Sequence, residues 1–165
     1  EYARTVPERA HVVICDEEIK PVGTRQIVDQ AIAALSGEAP APNLLGLQKD
    51  NYGWLDWSDW QQAHPDALDW RVTETYDSYV YVLEAAAAGV GLAMGWRGFV
   101  DAYLDRADLV ALPGPWLSKG TRLIARLTRH GEQNATAKKC LTLLNALGPP
   151  AVKRSERSSM RASPP

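Results

Sequence analysis

Cysteine is nearly absent: Cys15 and Cys140 are the two in 165 residues, far apart and without metal-ligand spacing. The pattern does not point to a disulfide framework, and both are expected to be buried free thiols. No apolar run approaches the roughly 20 residues of a membrane span. Excess charge is lacking as well. A net charge of −2 gives no global pull toward nucleic acid or an anionic membrane. The opening has neither an initiator methionine nor the pattern of a secretory signal. Glu1 reads as a processed terminus or, by preference, as the edge of a fragment.

Catalytic signatures are equally scarce. There is no Walker-type phosphate loop and no G-x-G-x-x-G; the glycines at 89, 91 and 95 leave a helix rather than enter one. There is no G-x-S-x-G elbow. His11, His64 and His130 are scattered, and no His, Cys and Asp cluster has zinc spacing. Asp56 and Asp59 lie three apart and resemble paired carboxylates, but they are expected on the wet side of a helix. The expectation is a protein that is not an enzyme and needs no metal and no cofactor.

What is present is a chain able to form a core, with 45% hydrophobic residues. One domain, or two small lobes, suits its length. Residues 11–15 and 19–22 read as two strand pieces or one broken strand, with Pro21 marking an edge, a bulge or a chain crossover. Residues 26–35 have helical spacing, ended near Gly37. Residues 44–48 form a short strand, followed by a turn over 49–53. Trp54, Trp57 and Trp60 then repeat every three residues, which places them along one side of a helix as a docking face for the core.

Residues 73–112 organise the rest. Their grammar is strand, helix, strand, helix, strand. A strand over 70–75 leads to Asp77 or Ser78, either of which can cap the next helix. Its apolar face holds Val80, Leu83, Ala87, Val82 and Ala86, and Gly89 suits its C-terminal cap. A strand over 90–94 follows, Gly95 and Trp96 turn the chain, and Phe99, Val100, Tyr103 and Leu104 face a further helix. Residues 109–112 form the last strand of the group. Beyond a Pro113-Gly114-Pro115 connector, 121–128 reads as a strand with Leu123, Ala125 and Leu127 on one side. Residues 134–147 read as a helix with Ala137, Cys140, Leu141, Leu144 and Leu147 on one face. Residues 149–165 are expected to be a disordered tail, and 1–10 a loop. Ligands of open α/β sheets sit at the carboxyl ends of strands, which singles out residues 76–79 and 95–96.

These segments carry a resemblance. GWLDWSDW, YDSYVYVLEAAAAGVGLAMGW and FVDAYLDRADLVAL together resemble the effector-binding domain of LysR-type transcriptional regulators. The closest likeness is to the branch with the glycine-cleavage-system activator and the β-lactamase regulator. DEEIKPVG resembles the family's D-E-x-x-P-V-C-S-P segment, with Gly23-Thr24 where the family usually has Cys-Ser-Pro. KGTRLIARLTRHGEQNATAKKCLTLL resembles the strand and helix that return to the first lobe.

The resemblance implies an α/β fold like a type 2 periplasmic binding protein, in which two lobes flank a cleft for a small effector. It implies a nearly complete second lobe over about 18–112, first-lobe pieces over about 1–17 and 113–148, and no N-terminal helix-turn-helix. The crossover matches 22–24. Implied effector contacts are Thr24, Tyr76, Asp77, Ser78, Tyr79, Gly95 and Trp96. A helix N-terminus suits a carboxylate effector, whereas Asp77 repels one unless it caps the helix. The implied function is ligand sensing and homodimer or homotetramer formation in a cytoplasmic regulator, with DNA bound only through the missing N-terminal domain and no membrane. A solute-binding protein of the same fold, or a non-functional remnant, is the alternative.

Overall fold

The computed structural model describes residues 2–3, 11–48, 53–67 and 69–147. Most of the opening loop, most of the 49–53 turn and the tail over 149–165 lie outside the described residues.

The large sheet has the order β5-β4-β6-β3-β7, built from β3 (Ile19–Gly23), β4 (Leu44–Leu47), β5 (Val72–Tyr76), β6 (Leu92–Trp96) and β7 (Val110–Ala111). Strands β4, β5 and β6 are parallel, and β3 runs antiparallel to β6 and β7. The small sheet has the order β1-β8-β2, from β1 (Tyr2–Ala3), β2 (His11–Asp16) and β8 (Arg122–Arg126), all antiparallel. Helix α5 (Ala135–Leu147) packs on β2 and β8.

Alternation along the large sheet gives it two cores. On one face Ile19, Leu44, Leu92, Met94 and Trp96 meet Val28 and Ala31 of α1 (Arg25–Leu35) and Trp57 and Trp60 of α2 (Trp57–Ala63). On the other, Val22, Leu45 and Ala93 meet Val82, Leu83 and Ala86 of α3 (Tyr79–Ala87). Val100, Tyr103 and Leu104 bring α4 (Asp101–Asp105) to that second core. Each fully buried Val, Leu, Ile or Met side chain among these contributes about 1.5–3 kcal/mol.

Several expectations are corrected. Helix α2 begins at Trp57 because Asp56 caps it: the Asp56 carboxylate accepts from the Ser58 and Asp59 N–H groups, and Asp59 accepts from the Asp56 N–H. This capping box leaves Trp54 outside the helix. Asp56 and Asp59 are half-buried rather than a wet face, and Asp59 also meets Lys119 at 2.7 Å. The strand expected over 90–94 is β6, two residues later. Gly89 ends α3 at φ 80°, and Val90 still donates to the Ala85 carbonyl, closing a Schellman motif. The turn expected at Gly95-Trp96 is therefore strand.

Pro21 lies inside the large sheet. Its carbonyl accepts from Leu112 just past the two-residue β7, so its ring nitrogen lies on the same side, where the ladder with β7 has ended and its missing N–H shortens the pairing. In β8 the buried residue is Ile124, while Leu123 and Ala125 are half-buried. On α5, Ala137 and Leu141 are half-buried, whereas Cys140 and Leu144 are exposed. Both thiols are free, but Cys15 is half-buried and Cys140 exposed, against the expectation of burial.

The two sheets are joined at 16–19 and 112–121, and these connections run side by side. Glu17 N–H donates to Thr121 over 2.8 Å, and Ile19 and Leu117 exchange two hydrogen bonds of 2.9 Å. The chain crossing therefore lies at 17–19, not at 22–24.

Candidate functional site

The parallel strands β4, β5 and β6 end at one edge of the large sheet. Pairing continues past β4, where Gln48 N–H donates to the Tyr76 carbonyl over 2.7 Å. Tyr76, Asp77, Ser78 and Tyr79 lead from β5 into α3 at this edge, and Gly95 and Trp96 end β6 there. Six of the seven expected contacts thus gather at one edge.

Thr24 does not join them. Strand β3 runs against β6, with Ile19 opposite Trp96 and Val22 opposite Ala93, so Thr24 lies at the other end of the sheet. There its hydroxyl accepts from Ile27 N–H and caps α1. Its neighbour is Gly89, at the C-terminal end of α3. Nine residues of helix, about 13 Å, separate that end from Tyr79.

The six differ in what they can offer. Ser78 occupies the cap position of α3 but makes no side-chain cap hydrogen bond. Asp77 is exposed and is not the cap. Helix geometry leaves first-turn N–H groups without intrahelical acceptors, and the dipole is positive there. An anion-friendly helix end and an acidic side chain therefore stand next to each other. Tyr76 donates its hydroxyl to Glu74 over 2.8 Å; that bond, more than burial, pushes the phenol pKa up.

Tyr79 and Trp96 are tied into the frame. Beyond Ala93, β4 no longer pairs with β6. Arg97 N–H points to β3, donating to Glu18, so Trp96 N–H points the other way. The Tyr79 hydroxyl fills this gap, donating to the Met94 carbonyl (3.1 Å) and accepting from Trp96 N–H (3.0 Å). Its ring meets the Trp96 ring edge to face at 4.9 Å. Gly95 is glycine for packing: a Cβ there would stand 2.9 Å from Val22 Cγ1 and 3.1 Å from the Lys20 carbonyl.

Glu17 is the residue that sequence reasoning missed. It is 1% exposed, and its carboxylate accepts from the Leu55 N–H (2.9 Å) and from the Trp96 indole (3.1 Å). Within the run Asp16-Glu17-Glu18 nothing local marks it, because its indole partner is 79 residues away. Beside this seam Arg97 pairs with Glu18 at 2.9 Å and lies 4.5 Å from the centre of the Trp116 ring. Lys20 approaches the same ring at 5.7 Å. Burial first, and then Arg97, push the Lys20 ammonium pKa down.

Among the described residues no group of three or more His, Cys, Asp and Glu side chains is placed to hold a metal, and no helix is long and apolar enough to cross a membrane.

No protein-family model and no curated protein matches the sequence. Solved structures do. The AmpR effector-binding domain from Citrobacter freundii is similar with a TM-score of 0.61 at 20% identity, over 89% of this chain and 72% of that one. The effector domain of AmpR from Pseudomonas aeruginosa gives 0.64 at 17%, over 89% and 69%. The regulatory domain of CrgA, a LysR-type transcriptional regulator from Neisseria meningitidis, gives 0.61 at 16%, over 88% and 72%. The α/β architecture of this chain is that of LysR-type effector-binding domains, a periplasmic-binding-protein-like fold.

Proposed function

We propose that this chain is the ligand-sensing regulatory domain of a LysR-type DNA-binding transcriptional regulator. In this reading the large sheet, over about 18–112, is the second lobe, and the small sheet with α5 belongs to the first. The lobes meet at the paired connections around Glu17 and Leu117. A small effector sits against the strand ends at Tyr76, Asp77, Ser78, Tyr79 and Trp96. The protein works in the cytoplasm as a homodimer or homotetramer and reaches DNA through a domain N-terminal to this sequence. Within the family it stands nearest the glycine-cleavage-activator branch.

The observation that carries the site is the start of α3. A helix end without a side-chain cap, flanked by an exposed carboxylate, fits a ligand of both charges. An α-amino acid places its carboxylate on the first-turn N–H groups and its ammonium by Asp77. Effector binding would shift the balance between two lobe arrangements through differential affinity.

Thermal melting with a panel of α-amino acids and aromatic acids tests this. An amino acid at a hundred times its Kd stabilises the folded chain by about 2.7 kcal/mol, a readily measured rise in Tm. A panel in which no compound raises Tm would count against the reading.

A further inference from the structure

A concave surface runs back from the strand ends beneath α2 and encloses about 430 Å³, within the usual size range of small-molecule pockets. Leu44 and Gly46 of β4 line it, with Val72 and Thr75 of β5 beside them. Trp57 and Gln61 of α2 form the facing wall, and Trp70 and Arg71 also border it.

A slip in strand pairing shapes this groove. Leu44 pairs with Val72 but Leu45 pairs with Glu74, so Thr73 is the extra residue of a bulge. The bulge turns both Val72 and Thr75 toward Gly46. A Cβ on Gly46 would stand 2.8 Å from Val72 Cγ1 and 3.3 Å from Thr75 Cγ2. The Val72 and Thr75 methyls already cover this face of Gly46, so only glycine fits beneath them.

The walls set the chemistry of an occupant. The Trp57 indole N–H donates to the Leu45 carbonyl and the Trp96 indole N–H to Glu17, so both rings offer carbon surface to the groove. Asp56 is occupied as the α2 cap, accepting from two N–H groups and the Ser58 hydroxyl. Arg71 is the one cation among the lining residues, and its guanidinium already donates to the Trp70 carbonyl over 3.0 Å. Val72 leaves apolar surface 42% exposed on an edge strand, where uncovered apolar area is a liability.

We infer that this groove binds a flat, mostly apolar small molecule bearing one carboxylate, with its ring between Trp57 and Val72 and its carboxylate toward Arg71. The site goes beyond the strand-end reading, because its walls all come from the large sheet, α2, the residues between them and Val82 of α3, and no second lobe is needed.

Titration calorimetry of the chain with 2-naphthoate and with 2-naphthylmethanol tests the assignment. Naphthoate binds saturably at one site, and the neutral alcohol binds about tenfold more weakly, as expected when a charge-assisted hydrogen bond is lost. Arg71→Gln brings naphthoate down to the affinity of the alcohol. Thr75→Phe, at an exposed strand position, fills the groove and abolishes binding while the chain still melts cooperatively at the parent temperature. Val72→Phe, at a half-exposed position of the same edge strand, also narrows the groove and weakens binding, and serves as a second check should Thr75→Phe fold poorly. Absence of heat with either compound, or equal affinity for acid and alcohol, would overturn the proposal. So would parent affinity in a folded Thr75→Phe, which would place the molecule elsewhere, at the strand ends included.

Discussion

The Trp96 indole N–H donates to the Glu17 carboxylate over 3.1 Å, tying the end of β6 to the connection between the two sheets. Both residues are buried. A buried carboxylate that loses a donor keeps its desolvation penalty. Trp96→Phe is therefore expected to lower unfolding stability by about 1–3 kcal/mol in urea titration, although a ring remains. Unchanged stability would show that this contact holds nothing.

The Tyr79 hydroxyl serves two backbone groups of β6, whereas the Tyr76 hydroxyl reaches only an exposed Glu74. Tyr79→Phe leaves Met94 C=O and Trp96 N–H without that partner and should cost about 1–3 kcal/mol. Tyr76→Phe should stay within about 0.5 kcal/mol of the parent. The pair of urea midpoints reads the contrast directly.

Ala107 ends α4 at φ 60°, while Asp108 N–H donates back to Tyr103 and Ala107 N–H to Leu104. That is a glycine position filled by alanine. Ala107→Gly removes the Cβ penalty at an exposed site and is expected to stabilise the chain by about 1 kcal/mol, read as a higher Tm.

The Cys15 thiol pKa is pushed up, by burial first and then by Asp16, Glu17 and Glu18, while Cys140 is exposed. At pH 8 iodoacetamide should modify Cys140 well before Cys15, followed by peptide mass mapping. The folded chain holds the Cys15 proton more firmly than the unfolded one. Its contribution to stability is complete below the ordinary thiol pKa and declines as pH rises past it.

Helices and strands were legible where local pattern decides them. Gly37 and Gly89 announced two helix ends, and both close with a left-handed glycine. Residues 76–79 and 95–96 were legible as strand ends, because alternation and a helix start fix the geometry between them. What escaped was non-local. Trp54 matched the three-residue spacing of Trp57 and Trp60, but a capping box at Asp56 set the helix start beyond it. Thr24 followed a family likeness along the chain, yet the antiparallel direction of β3 carries it to the far end of the sheet. Glu17 has partners at Leu55 and Trp96, and no pattern within its own segment could supply them.

The central claim is that ligand meets this chain at the start of α3 and the end of β6. Backbone amide NMR with the α-amino acid that gives the largest melting shift tests it most directly. Dose-dependent movement concentrated at Asp77, Ser78, Tyr79, Val80 and Trp96, with Thr24 still, is the predicted result. Amides at those positions that stay fixed while the ligand saturates, or movement centred on Thr24, would contradict it.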